Sequence, residues 1–445
     1  MTETPNYDDR FDAIVVGAGP AGSSAALTMA REGLDVIVIE RGSFPGAKNV
    51  FGGVLFTPTI RQLLGDDLDD APFERYISEK KFGLLSEEDE TALTIRPGAW
   101  HDEPHNDSFT VLRGSFDEWF AEQAVEAGAT LITETTVTGL IRDGQDGKIV
   151  GVETDRPDGA LRAPVVVLAE GGNSLVSEGA GLKEADDARD VAVAAKEVRK
   201  YDRETIEERF NLYEDDGVAH HYFGEGACGD AVGGAYIYTN KRTLSIGVAY
   251  SIEDARDNPR KPDDLLNDFK QHPAIAPLVR DGRLIEYSAK AIPEGGADAV
   301  PDLVHDGAVI VGDAAGFTLN NGIHLEGTNM AVESGYWAAK AIADAIDRGR
   351  ADAAALKPYA DNLEDSFVLQ NLEHYNWFGE FAESEKDFLF SELPEALTRA
   401  ELEYFSMDRE PKENHVKRAK RIVLEATGGW TGAIKRAWKY RRLLS

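Results

Sequence analysis

The chain opens with a short β-branched run, Phe11-Asp12-Ala13-Ile14-Val15-Val16, that ends in Gly17-Ala18-Gly19-Pro20-Ala21-Gly22. A helix-like stretch from Ala21 to Glu32 follows, then a second apolar run, Asp35 to Ile39, closed by the acid Glu40. Strand, glycine turn, helix, strand and acid at this spacing specify a βαβ unit that opens a parallel sheet. Gly17, Gly19 and Gly22 permit the tight turn and bring backbone close to a pyrophosphate, while Pro20 and Ala21 start the helix whose N-terminus favours anions. Glu40 stands where ribose hydroxyls are held. Arg41 beside it is a second candidate contact, with a solvated strand-end pair as the alternative. The reading is dinucleotide binding.

Further β signals follow. Leu131 to Thr136, Lys148 to Thr154 and Ala163 to Ala169 read as strands, the last apolar enough to be covered on both faces. From about Asp187 to Ile292 the pattern becomes half-buried alternation, as in Ala235-Tyr236-Ile237-Tyr238 and Thr243 to Val248, which suits an antiparallel sheet. Ala308 to Asp313 is again a buried strand, followed by a helix from about Glu326 to Asp347. After Ala351 come helical segments rich in aromatics. The expected organisation is α/β: a nucleotide-binding domain over 1–186, an inserted antiparallel-sheet domain over 187–292, the first domain resumed over 293–350, and a helical C-terminal region with a basic tail over 351–445.

Composition narrows the function. With 80 acidic against 47 basic residues among 445 and a net charge of −33, the surface repels a phosphate backbone, so no nucleic acid partner is expected. The acid is spread along the chain, as a surface adapted to high salt would be, because salt screens such self-repulsion. The single cysteine, Cys228, permits no disulfide, CxxC pair or cysteine-ligated cluster within the chain. No metal site is evident. The N-terminus is polar and acidic, and no stretch approaches the roughly 18 apolar residues of a membrane span. A cytoplasmic location is expected, with a peripheral position on the inner face of the cell membrane as its variant.

Val309-Ile310-Val311-Gly312-Asp313-Ala314-Ala315-Gly316, continuing through Asn321-Gly322 to Gly327-Thr328-Asn329, resembles the Gly-Asp motif of flavoproteins with the glutathione-reductase-like fold. The resemblance implies FAD as cofactor, with Gly312 and Asp313 at its ribityl or ribose hydroxyls and Gly322, Gly327 and Asn329 around the helix start that approaches the flavin. An ordinary helix cap is the alternative for Asp313. Val166 to Gly172 resembles the strand that closes the FAD domain. Arg113, placed before a helix from Phe116 to Ala127, could neutralise the pyrophosphate; a surface arginine is the alternative.

The loop Gly46-Ala47-Lys48-Asn49-Val50-Phe51-Gly52-Gly53, the segment Gly234 to Asn240 and the Gly-Asp region together look like the FixC family, which belongs with the electron transfer flavoprotein:quinone oxidoreductases. The resemblance implies reduction by an electron transfer flavoprotein, onward transfer to a quinone at the membrane surface, and in some assemblies a separate ferredoxin-like subunit. Longer relatives carry a four-cysteine iron-sulfur module that this chain cannot supply. Lys48 would lie near the isoalloxazine ring and tune its potential, or be a simple loop residue. His324 is a candidate proton relay, a structural histidine being the alternative. There is no second GxGxxG unit, hence no dedicated pyridine-nucleotide domain.

From Lys412 to the end, Lys and Arg outnumber acids ten to two, with Ile434, Trp438, Tyr440 and Leu443 interleaved. This reads as an amphipathic element for anionic lipid or an acidic partner, or as a helix packed on the acidic body. Rival functions are a geranylgeranyl reductase, against which Phe51-Gly52-Gly53 and Tyr236-Ile237-Tyr238 stand where that family shows a cysteine and a tryptophan, a flavin hydroxylase, and an FAD electron-carrier subunit without turnover of its own.

Overall fold

The computed structural model describes residues 11–48, 53–101, 108–144, 147–257, 260–323 and 325–441. They form two compact units, each assembled from three stretches of chain: residues up to 77, 102–192 and 290–378 in the first, and 78–101, 193–289 and 379 onward in the second.

The first unit is organised by a six-stranded sheet. Its centre is β1 (Ala13–Val16), flanked by β2 (Val36–Ile39) and by the strand Val165–Leu168. Thr130–Ile132 extends the β2 edge, and Ala308–Ile310 with its antiparallel partner Val304–His305 extends the other. The remaining pairs are parallel, with Ala13 facing Val36 on one side and Val165 on the other. Every residue of β1, β2 and Val165–Leu168 is buried. This is why these strands are written in continuous Val, Ile and Leu, not in alternation. Each fully buried side chain of this kind stabilises by roughly 1.5–3 kcal/mol relative to exposure.

Helix α1 (Pro20–Arg31) follows β1 directly, with Pro at its first position, where a missing N–H costs nothing. It packs on the 20-residue helix Thr328–Asp347 through small residues. The Ser24 hydroxyl donates to the Val332 carbonyl at 2.7 Å. A Cβ on Gly335 would meet the Ala21 carbonyl oxygen at 2.2 Å. The two helices are therefore held backbone to backbone, and their N-termini, at Gly19 and Gly327, are both placed at the C-terminal edge of the sheet.

The second unit holds most of a run of strands in the order Arg283–Pro293, Val191–Lys200, Thr243–Ser251, Gly233–Thr239, Asp216–Phe223, Phe73–Leu85, with Glu90–Ile95 paired to the last; residues 73–77, 191–192 and 290–293 of these strands count with the first unit. The pairs Asp216–Phe223 with Gly233–Thr239 and Gly233–Thr239 with Thr243–Ser251 are antiparallel, and alternate residues such as Ala235 and Ile237 enter the core formed with Phe210, Leu266 and Phe269. The helices Leu393–Phe405, Lys412–Ala426 and Gly429–Lys439 end the described chain. Among the described residues no helix is long and apolar enough to cross a membrane.

Candidate flavin site

The carboxyl ends of the parallel strands open onto a cleft with about 1520 Å³ of empty space, part of it open to solvent. It lies entirely within the first unit. Gly17, Gly19, Pro20, Ala21, Glu40, Arg41, Lys48, Arg113, Asp313 and Gly327 all line it. Residues 300 positions apart in the chain thus converge on one elongated space.

The glycine turn is built as its sequence implies. Gly17 has φ +100°, and a Cβ there would meet the Ala169 carbonyl oxygen at 2.5 Å, so any side chain is excluded by both conformation and space. Glu40 is buried, and its carboxylate accepts the Ala18 N–H at 3.0 Å and the Gly42 N–H at 2.6 Å. It thereby braces the turn from β2 while lining the cleft.

Arg113 is the first residue of the helix Arg113–Glu126, three residues earlier than the sequence pattern suggests, because Leu112 keeps an extended conformation and lets the helix begin at the arginine. Its guanidinium makes a two-pronged ion pair with Asp117, Nε to Oδ1 and Nη2 to Oδ2 at 2.8 Å each, and both residues are buried. Burial alone would lower the pKa of this guanidinium, but the Asp117 charge and hydrogen bonds and the Asp313 charge more than offset it, and the net shift is upward. The group stays charged inside the cleft.

Gly312 adopts φ +65° and donates its N–H to the Ser334 hydroxyl at 3.0 Å, which fixes the turn that presents Asp313. Lys290 reaches Asp313 with Nζ 3.6 Å from Oδ2. Four expected residues lie outside the lining. Gly22 is a packing position: a Cβ there would meet the Gly17 carbonyl oxygen at 1.9 Å. Gly312 faces Ala21, and Gly322 faces the ring of Phe378. Asn329 is buried, donates to Glu326 at 3.1 Å and leaves its Oδ1 without a partner. His324 and the loop residues Asn49 to Gly52 lie outside the described residues.

The structure also adds residues. Thr135, Thr136 and Val137, the Glu170-Gly171-Gly172 turn, Lys290, Ile292, Thr318, Leu325 and Thr328 line the cleft. Glu170 accepts the N–H groups of Val176 and Ser177 at 2.7 and 2.8 Å and so caps the following helix. Just beyond Ile292, the half-buried Glu294 accepts a hydrogen bond from Asn320 at 3.0 Å, and burial pushes its carboxyl up to about 7 in spite of that bond. Nothing in the local sequence marks Lys290 or Ile292, since they come from the far end of a strand that starts in the other unit.

Apolar walls from Val16, Ile39, Val137, Ile292 and Leu325, two helix N-termini and the cations Arg113 and Lys290 match the needs of a molecule with flat rings at its ends and a diphosphate between them. The residues therefore fit FAD. Among the described residues no group of His, Cys, Asp or Glu could hold a metal ion.

Comparison with known proteins agrees. The FAD binding domain family model matches residues 10–366, and the ETF-QO/FixC family C-terminal domain model matches residues 378–444. Protein FixC of Azorhizobium caulinodans is 41% identical over 436 residues, 98% of this chain and 99% of that protein. The probable electron transfer flavoprotein-quinone oxidoreductase YdiS of Escherichia coli is 41% identical over 406 residues, 91% of this chain and 93% of that protein. Among solved structures, a geranylgeranyl bacteriochlorophyll reductase-like protein from Thermoplasma acidophilum superposes with a TM-score of 0.68 at 19% identity, covering 97% of this chain and 99% of that one. The flavin-dependent brominase Bmp2 gives 0.60 at 20% identity, covering 87% and 92%. At these identities the structural likeness is one of fold.

Proposed function

Because this chain belongs to the ETF-QO/FixC family of FAD-dependent electron-transfer oxidoreductases, we propose that it accepts electrons from an electron transfer flavoprotein and delivers them to a quinone. The observation that carries this reading is the coincidence of near full-length similarity to FixC proteins and to a probable electron transfer flavoprotein-quinone oxidoreductase with a cleft whose lining fits FAD. The single cysteine, Cys228, is buried, and burial pushes its thiol up to about 12, which keeps it out of redox exchange at neutral pH.

Bound in the cleft, FAD supplies the redox chemistry. The protein's part is to bind and orient it. The N–H groups at the starts of α1 and of Thr328–Asp347 would hold the diphosphate, with Arg113 adding fixed positive charge. Glu40 and Asp313 offer carboxylate acceptors to sugar and ribityl hydroxyls. The apolar side chains of Val16, Ile39, Val137, Ile292 and Leu325 would pack against the flat rings of FAD. Lys48, exposed at the rim, and His324 are the remaining candidates for tuning and proton delivery.

The same reading includes a separate ferredoxin-like subunit and a lipid surface where the quinone resides. Support for the lipid contact comes from the helix Gly429–Lys439. Trp430, Ile434 and Trp438 recur every fourth residue and are 74%, 66% and 66% exposed. On its other side Arg436 and Lys439 pair with Glu385 at 3.2 and 2.6 Å, and Tyr440 donates to Glu385 at 2.9 Å. The helix is thus pinned with its apolar stripe outward, and tryptophan with flanking cations suits an anionic lipid interface.

The test is anaerobic mixing of the oxidised, FAD-loaded protein with its electron transfer flavoprotein, reduced beforehand, in high salt, then addition of an oxidised menaquinone analogue, with flavin absorbance as readout. Bleaching by the partner followed by quinone-driven recovery is expected. No bleaching by the partner, with recovery of dithionite-reduced protein on a geranylgeranyl lipid, would replace this function with prenyl reduction.

A further inference from the structure

Four cations line the flavin cleft among the described residues: Arg41, Lys48, Arg113 and Lys290. They are not equivalent. Arg41 and Lys48 are exposed at the rim, where charge is screened and side chains are free to move. Arg113 interacts with the Asp313 charge but is committed to Asp117 by two hydrogen bonds. Lys290 has a side chain only 22% exposed and stands 3.6 Å from Asp313, itself 30% exposed. That separation is beyond hydrogen-bond reach, so the two are held as neighbouring charges, and the ammonium's donors are directed by position, not locked in a fork.

Asp313 poses an electrostatic problem. It is the carboxylate of the Gly-Asp turn, it lines the same cleft as the glycine turn, and any dinucleotide bound there brings two more negative charges on its diphosphate. Like charges in a partly buried cleft repel strongly because screening is weak. Gly171, which the left-handed φ of +74° favours, is the neighbouring backbone: a Cβ there would stand 4.0 Å from the Lys290 ammonium, an ordinary contact. The strand Arg283–Pro293 delivers Lys290 and then, on the same side, Ile292 to the cleft.

We propose that Lys290 is an FAD-binding residue, the charge that offsets Asp313 and so allows a carboxylate and a diphosphate to share one cleft. Asp313 keeps its acceptor role toward hydroxyls, and Lys290 prevents that role from repelling the cofactor. The assignment rests on flavin binding alone and is independent of the identity of donor or acceptor.

The experiment measures FAD affinity of the apoprotein by recovery of flavin fluorescence quenching in Lys290→Met, Lys290→Arg, Asp313→Asn and the Lys290→Met/Asp313→Asn double variant, with thermal stability of each apoprotein as control. Lys290→Met is expected to weaken FAD 10- to 100-fold with unchanged apoprotein stability, and Lys290→Arg to restore most of it. In the Asp313→Asn background the effect of Lys290→Met is expected to shrink to a few-fold. Wild-type affinity in Lys290→Met would overturn the proposal. So would an equal loss in both backgrounds, which would mean the two charges are not coupled, or a loss that follows apoprotein unfolding in both Lys290 variants, which would mean a purely structural role.

Discussion

The buried carboxylate of Glu40 accepts the backbone N–H of Ala18 at 3.0 Å, tying the end of β2 to the turn that follows β1. The acid proposed to meet ribose thus also shapes the glycine turn, and its loss is expected to act twice.

Glu40→Ala strands the N–H groups of Ala18 and Gly42 in a buried site, at about 1–3 kcal/mol for each unsatisfied group. Both apoprotein stability and FAD affinity should fall. Glu40→Gln, which keeps one acceptor oxygen, should retain most of the stability and lose affinity. Chemical denaturation and FAD titration of the two variants separate these contributions, and equal losses in both assays for Glu40→Gln would contradict the dual role.

Arg113→Met leaves Asp117 buried and without its ion-pair partner. Breaking a buried pair from one side costs about 3–5 kcal/mol. Replacing both, as Arg113→Met/Asp117→Leu, should recover the fold but not FAD binding. If the double variant bound FAD normally, Arg113 would have no part in holding the cofactor.

Gly22 packs against Gly17 and does not line the cleft. Gly22→Ala should therefore lower the melting temperature of the apoprotein as much as that of the loaded protein. A variant with normal apoprotein stability and selectively lost FAD would place Gly22 at the ligand instead.

Glu294 carries a pH dependence whose sign follows from its shift. Its folded-state carboxyl titrates near 7 because burial disfavours the charge, whereas in the unfolded chain it titrates near the ordinary value of 4.5. The folded state binds the proton more tightly, so this stabilising contribution is complete below about pH 4.5 and is lost as pH rises through 7. Glu294→Gln should remove it, making the variant gain on the wild type between pH 5 and pH 8 in urea unfolding. Parallel profiles would show that the carboxyl is not held protonated.

Trp430, Ile434 and Trp438 form one exposed stripe. Replacing all three by Ser should abolish sedimentation with vesicles rich in anionic phosphatidylglycerol while leaving reoxidation by a water-soluble quinone analogue intact. Retained vesicle binding would remove the lipid role from this helix.

Much of the flavin domain was legible because its determinants are local. Glycines at fixed spacing between apolar runs state both the conformation and the ligand class, and ten of the fourteen expected cofactor residues line the cleft. Of the four that do not, Asn329 turns its amide to Glu326, and the three glycines share a reason. Gly22, Gly312 and Gly322 answer to close packing against Gly17, Ala21 and Phe378, and a glycine needed for a near neighbour looks the same in sequence as one needed for a ligand.

The amino-acid sequence by itself determined the βαβ unit, the buried parallel strands, the Gly-Asp turn and the absence of a cysteine-ligated cluster, since each follows from residue type and short-range period. Only the tertiary structure decided that Arg113 is fixed by Asp117, that Lys290 reaches Asp313, and that the second unit gathers 78–101, 193–289 and 379 onward. These depend on which distant segments meet, and their free energy comes from burial and charge pairing across long stretches of chain, which no local pattern records.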